Sequence, residues 1–395
     1  MTPPLPLVST GLARVLAEEA GRWRGRKVGL VVHPASVDAG LRHAVDALLA
    51  HGADIRVLFG PEHGVLGEAQ DMEAVDTSRS PWRIPTHSLY GHTYGSLRPT
   101  AEMFAGLEVL LVDLQDIGSR YYTFIYTMAL CMQTAAEVGV EVVVLDRPNP
   151  IGGVQVEGGT VADGFRSFVG LWPMANRHGL TIGEVARYLH GEFGVGAAPT
   201  VVPMQGWRRS MYFEETGLPW VYPSPNMPSI DAALVYPGMC LVEGTELSEG
   251  RGTTRPFELF GAPFVEARAL ASALAEDALP GVVMRPCYFK PMFQKHAGQL
   301  CGGVQLHLTE RQAFRPYRTG VACLAAVARL WPREFAWRAR AYEFVEDVPA
   351  FDLLAGNARL RAQLESGAPL GELVAAWADD EAAFLRRRAP YLLYS

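Results

Sequence analysis

The sequence predicts an α/β protein in which a parallel β-sheet is covered by helices and is followed by a second, smaller α/β domain. Two observations predict it. Short β-branched or apolar runs alternate with stretches of helical periodicity, and the runs are apolar throughout, as strands buried on both faces of a parallel sheet are.

The first run is Lys27 to Val32. Helical spacing follows through Leu41, Val45, Leu48 and Leu49, then a second run from Ile55 to Phe59, which makes a β-α-β unit. The pattern recurs as a strand from Val109 to Val112, an apolar helix from about Tyr122 to Val138, and a strand from Val142 to Leu145. Beyond Gly153 the texture loosens. A helix is opened by Thr181 and Glu184, the spacing of a capping box, and a strand is expected near Thr200 to Met204. The loop VYPSPNMPS is too rich in proline for regular structure. A domain boundary is placed near residue 232, dividing the chain into 1–232 and 233–395. From about residue 305 the tail carries a strand, GVQLHL, and two helical stretches.

Composition narrows the function classes. With 395 residues, 49% hydrophobic and 19% charged, the chain has a globular balance. A net charge of −7 without a basic cluster argues against nucleic acid as a partner, because counterion release needs a concentrated positive face. Cys131, Cys240, Cys287, Cys301 and Cys323 are odd in number and widely spaced, so buried reduced thiols are expected. Pro3, Pro4, Pro6, Glu18 and Glu19 do not fit a secretion signal, and no apolar run approaches the ~20 residues of a membrane span. The expected compartment is the cytoplasm, with no membrane partner. GxSxG, GxxxxGK[ST], HExxH and a strand-following GxGxxG are all missing, so no cofactor is expected.

In a parallel sheet, ligands bind beyond the carboxyl ends of the strands, which directs attention to the loops at 60–67, 114–124 and 146–153. In the first, Glu62 and His63 sit between Gly60 and Gly64, where small neighbours allow close approach to the backbone. Glu62 is a candidate general acid, the alternative being a helix cap or an arginine pair. The second holds Asp116 and Arg120 beside Tyr121 and Tyr122, an anion binder with flat faces for a sugar ring, or else a salt bridge and two core tyrosines. The third holds Asp146, Arg147 and Asn149, with Asn149 the binding candidate and a fixed turn the alternative. A later loop, EGTELSEGRGTTRPFE, interleaves Glu243, Glu246, Glu249, Arg251 and Arg255 with glycines, the texture of a backbone bent to present charge. Glu62, His63, Asp116 and His178 are a conceivable metal set, but their spacing is not diagnostic and no metal is expected.

Taken in order, GPEHG, DLQDIGSRYYTF, VVVLDRPNPIGG, SFVG, HGLTIGE, PSPNMP, EGTELSEGRGTTRPFE and CGGVQLHL resemble the NamZ-type exo-β-N-acetylmuramidase family, from about Val28 to the terminal YLLY. Ser119, Tyr121, Phe124 and Glu246 depart mildly from the family's usual phrases. The resemblance implies a Rossmann-like amino-terminal domain without a nucleotide, an auxiliary carboxyl-terminal domain, and an active site in the cleft between them. It also implies hydrolysis of the β-1,4 bond of a terminal, non-reducing N-acetylmuramic acid, with Glu62 at the position of the catalytic glutamate.

Glycoside cleavage needs an acid and a group that traps or stabilises the anomeric centre. For the second group the candidates are Asp116, Glu243 and Glu249, or the substrate's own acetamido group with His63 or a carboxylate orienting it. The lactyl carboxylate calls for a cation, from Arg120, Arg251 or Arg255. Tyr121, Tyr122 and Tyr222 are candidate stacking faces, and Asn149 and Asn226 further binding candidates. The expected partner is a small glycan such as a muropeptide fragment. The competing readings are a non-catalytic sugar-binding protein and a metal-dependent hydrolase on the same scaffold.

Overall fold

A computed structural model describes residues 7–18, 21–75 and 80–395. Pro3, Pro4, Pro6 and Glu19, which bore on the amino-terminal reading, lie outside the described residues.

Six strands, β1 (Lys27–Val32), β2 (Asp54–Gly60), β3 (Thr86–Ser88), β4 (Val109–Asp113), β5 (Glu141–Leu145) and β6 (Thr200–Val202), form one sheet in the order β3-β2-β1-β4-β5-β6. Every pairing in it is parallel. This is the strand order of a doubly wound, Rossmann-like sheet. Alternating side chains feed two cores. Val31, Phe59, Leu110, Val112 and Val144 face one side, and Val28, Leu30, Leu58, Leu111 and Val143 the other. That double burial is why the strands read as unbroken apolar runs.

The covering helices are α1 (Gly11–Glu18), α2 (Ala44–Ala50), α3 (Phe124–Val138) and α4 (Ile182–Phe193). Leu41 is not part of α2: it occupies a turn at φ 64° and is exposed. The Thr181–Glu184 box is present in both directions on α4.

The larger core runs without a break into α5 (Ile230–Met239) and the carboxyl-terminal helices. The expected boundary at residue 232 thus falls in the first turn of α5. Beyond it, β7 (Leu259–Ala262), α6 (Ala267–Glu276), β8 (Val282–Phe289) and β9 (Cys301–Leu308) build a three-stranded antiparallel sheet in the order β7-β9-β8. The expected strand is the centre of that sheet; its partner β8 escaped notice because its exposed residues break the apolar run. In place of two helical stretches there are five helices, α7 (Pro316–Leu330), α8 (Ala350–Ala355), α9 (Arg359–Glu365), α10 (Leu370–Ala375) and α11 (Ala378–Arg388), punctuated by Pro349, Gly356, Gly367 and Pro369. Helices α5 and α7 cross at Gly238 and Gly320. A Cβ on Gly238 would lie 1.8 Å from the Pro316 carbonyl oxygen, so only glycine permits this approach. The five cysteines are free and buried. Among the described residues no helix is long and apolar enough to cross a membrane.

Candidate active site

The sheet reverses its winding between β1 and β4, the place where such folds usually take a nucleotide. Here buried polar side chains pair with one another. Arg147 donates from Nε and Nη2 to the two oxygens of Asp113 at 2.6 and 2.8 Å, and the Gln115 backbone N–H donates to His33 Nε2 at 2.7 Å. Burial, reinforced by the Arg147 charge, pushes the His33 imidazole well below its ordinary range, consistent with a neutral acceptor.

One strand away, the loop after β2 delivers Glu62 into a narrow recess of about 30 Å³, far below the ~300–1,000 Å³ usual for ligand sites. Glu62 is 5% exposed. Its Oε2 accepts from the Thr123 hydroxyl at 2.8 Å and its Oε1 from the Met72 amide at 3.4 Å. His63, at φ 71°, turns beside it. Its Nδ1 lies 2.9 Å from the Ala69 carbonyl oxygen, a contact that needs an N–H there, which leaves Nε2 as the ring's uncommitted nitrogen.

The opposite wall comes from the second half of the chain. A 3₁₀ turn, Cys240–Gly244, follows α5 and carries Glu243. Arg251 Nη2 donates to Glu243 Oε1 at 2.7 Å, and Tyr342 donates to Glu243 Oε2 at 2.7 Å. Arg251 also meets Asp71 at 3.2 Å and Glu249 at 3.4 Å. Burial raises the Glu243 and Asp71 carboxyls, although Arg251 pulls both back. For Glu249 burial also acts upward, but Lys295, at 2.8 Å, and Arg251 outweigh it and hold the carboxyl low.

Seven expected residues line the recess: Glu62, His63, Tyr121, Tyr122, Asn226, Glu243 and Arg251. Six do not, each for a visible reason. Arg120 is fully buried and spends its guanidinium on the carbonyls of Gly159, Met174 and Leu354. Asn149 fixes a turn through Ile151 N and Leu180 O. Asp116 accepts from Gly118 N at 2.7 Å and faces His178 at 3.3 Å. Glu249 is behind Arg251 on Lys295. Tyr222 is 52% exposed. Arg255 is exposed and pairs with Glu258 at 3.2 Å.

Sequence reasoning missed Asp71, Thr123 and Glu343. Asp71 lies in the same strand-end loop as Glu62, past the point where the glycine-rich stretch ends. Glu343 sits in an ordinary-looking acidic segment with no local signal. Carboxyl oxygens of Glu62, Asp71 and Glu343 all lie within 4.8 Å of one another, and among the described residues these three, rather than Glu62, His63, Asp116 and His178, are the set close enough to share a hard cation. Tyr122 is 5% exposed. Chemically, the recess offers a buried acid, clustered carboxyls that can retain protons, and tyrosine walls.

Comparison with known proteins shows what the chain as a whole is similar to. Residues 28–231 match the family model of the exo-β-N-acetylmuramidase NamZ amino-terminal domain, and residues 234–394 match that of its carboxyl-terminal domain. The chain is 42% identical over 392 residues to the peptidoglycan β-N-acetylmuramidase NamZ of Bacillus subtilis (strain 168), covering 98% of this chain and 92% of that one. It is also similar to two crystal structures of DUF1343 family proteins from Bacteroides fragilis NCTC 9343. One superposes with a TM-score of 0.88 at 34% identity, covering 99% of this chain and 100% of that one. The other gives 0.76 at 28% identity, covering 98% and 99%.

Proposed function

The chain belongs to the NamZ exo-β-N-acetylmuramidase family and is a glycoside hydrolase; from that premise we propose that it removes terminal, non-reducing N-acetylmuramic acid from peptidoglycan-derived glycans, with Glu62 as general acid. The observation that carries this reading is a buried glutamate at the carboxyl end of β2, held by Thr123, in a recess walled by residues from both halves of the chain. In this reading residues 1–232 supply the acid, and residues 233–395 supply the facing wall of Glu243, Arg251 and Tyr342.

Glu62 protonates the leaving oxygen while the anomeric carbon gains positive character. The second group is harder to assign to a carboxylate. Glu243 and Glu249 are occupied by Arg251, Tyr342 and Lys295, and Asp116 does not reach the recess. Asp71 and Glu343 have carboxyl oxygens within 4.8 Å of those of Glu62 and cluster with the acid rather than standing apart from it. The arrangement therefore favours the substrate's 2-acetamido group as the trap, with Asp71 or His63 orienting it. Arg251 is the one expected guanidinium that lines the recess and is assigned to the lactyl carboxylate.

The test is release of sugar from a chromogenic β-N-acetylmuramide beside the matching β-N-acetylglucosaminide, with wild type, Glu62→Gln and added chelator. Turnover of the muramide alone, lost in the variant and indifferent to chelator, is the expected result. Loss with chelator would favour the metal-dependent reading, for which the three clustered carboxyls are the specific observation. No turnover of either sugar would leave a sugar-binding protein.

A further inference from the structure

We propose that Lys295, on the hairpin that joins β8 to β9, sets the preference for a carboxylate-bearing sugar by neutralising Glu249, so that Arg251 keeps the charge needed to meet the substrate's lactyl carboxylate. This rests on the reading of Arg251 as the lactyl partner. Lys295 is a positioning residue in this scheme, because it acts through Arg251 and is not one of the walls of the recess.

The hairpin is built to deliver this side chain. Gln294 and His296 flank Lys295 at φ 64° and 57°, a conformation that side chains rarely adopt and that persists where the surroundings enforce it. The Met292 N–H donates to the Gly252 carbonyl oxygen at 2.9 Å, and His296 Nε2 lies 2.7 Å from the Glu246 carbonyl oxygen. Between these two anchors Lys295 Nζ donates to the carbonyl oxygens of Val242 and Leu247 at 3.1 and 2.8 Å, and pairs with Glu249 Oε2 at 2.8 Å. An ammonium has three N–H donors, and these three contacts commit them. The side chain is 7% exposed, so it stays behind the loop whose Arg251 faces the recess.

Counting charges shows what the lysine does. Glu249 reaches Lys295 with one oxygen and Arg251 Nε, at 3.4 Å, with the other. Arg251 also meets Glu243 at 2.7 Å and Asp71 at 3.2 Å. Three carboxyls therefore share two cations, and a lactyl carboxylate makes four against two. Without Lys295 the count is four against one, and Glu249, with its side chain 3% exposed, is left to Arg251 alone. Charges a few ångströms apart and shielded from water interact strongly, so the uncompensated negative charge opposes any anion that approaches Arg251. A neutral ligand of the same shape feels none of it.

Direct binding tests this without turnover. Calorimetric affinities are compared for N-acetylmuramic acid and for its neutral carboxamide, which keeps the shape and lacks the charge. Wild type should prefer the acid. Lys295→Met should weaken the acid about tenfold or more and leave the carboxamide unchanged, and adding Glu249→Gln to the same chain should restore the acid. A merely structural lysine would weaken both ligands together, and Glu249→Gln would not repair it; either result overturns the proposal. If Lys295→Met fails to fold, Glu249→Gln alone decides. With the lysine now unopposed, the acid should bind about tenfold tighter than to wild type at unchanged carboxamide affinity, and an unmoved acid affinity overturns the proposal. Failure of the underlying reading has its own signature. A wild type that binds both ligands equally would remove Arg251 from the lactyl carboxylate and take the proposal with it, whereas a preference for the acid that survives Lys295→Met would sink the proposal alone.

Discussion

The Thr123 hydroxyl and Glu62 Oε2 are 2.8 Å apart across 61 positions of sequence, joining the residue that opens α3 to the loop that closes β2. Thr123 sits at the start of α3, so the helix itself fixes where the Glu62 carboxyl points. Thr123→Val keeps the shape and removes the hydroxyl. The expected loss is about 10- to 100-fold in kcat with little change in KM, the equivalent of one hydrogen bond to a charged group at ~1.5–3 kcal/mol. Thr123→Ser should stay near wild type. Equal kcat for the valine variant would show that the contact does not orient the acid.

Arg251 is the counter-charge for Asp71, Glu243 and Glu249, and all four side chains are largely out of water. Arg251→Met leaves those carboxyls without it, and breaking a buried pair from one side costs ~3–5 kcal/mol. Equilibrium urea unfolding should therefore show a lowered midpoint along with lost activity. A midpoint within error of wild type would mean that the carboxyls find protons at little expense.

Arg120 was expected to meet substrate, yet it holds three carbonyls, one of them from Leu354 in α8. Arg120→Met should lower the melting temperature while leaving KM for the muramide unchanged in the folded fraction. A selective rise in KM at unchanged stability would return Arg120 to the binding site.

Asp146 gives a pH signature. Burial lifts its carboxyl to about 7, against hydrogen bonds from Tyr394, the Gly183 amide and Thr181 that pull it down. A group raised on folding binds its proton more tightly in the native state, so its contribution to stability is complete below the unfolded value of 3.8 and is lost as pH rises toward 7. Relative to wild type, Asp146→Asn should gain stability across that window by at most ~1.4 kcal/mol per pH unit. The difference between the two proteins isolates Asp146, since Glu381 is also raised to about 7. A difference independent of pH would show that Asp146 does not change its proton affinity on folding.

Much of the sheet was legible. Lys27–Val32 was read to the residue, and the strands at 54–60, 109–113 and 141–145 to within one, because double burial writes itself into composition. The same reading singled out Glu62, since ligand sites lie beyond strand ends and glycines flank it, and the structure puts Glu62 in the recess. It went astray where a polar residue's partner is remote. Arg120 and Asn149 look like binding groups on a strand-end loop, but backbone carbonyls 31 to 234 positions away satisfy them.

By itself, then, the sequence determined the layered α/β scaffold, the family, the loop carrying Glu62 and the loop carrying Glu243 and Arg251, all of which rest on local pattern. Only the tertiary structure decided which charges meet: that Arg251 is shared by three carboxyls, that Arg147 pairs with Asp113 at the point where the sheet reverses, and that Glu343 arrives beside Glu62 from 281 positions away. Electrostatic interaction depends on distance and on the exclusion of water, and neither is a property of neighbouring residues in a chain.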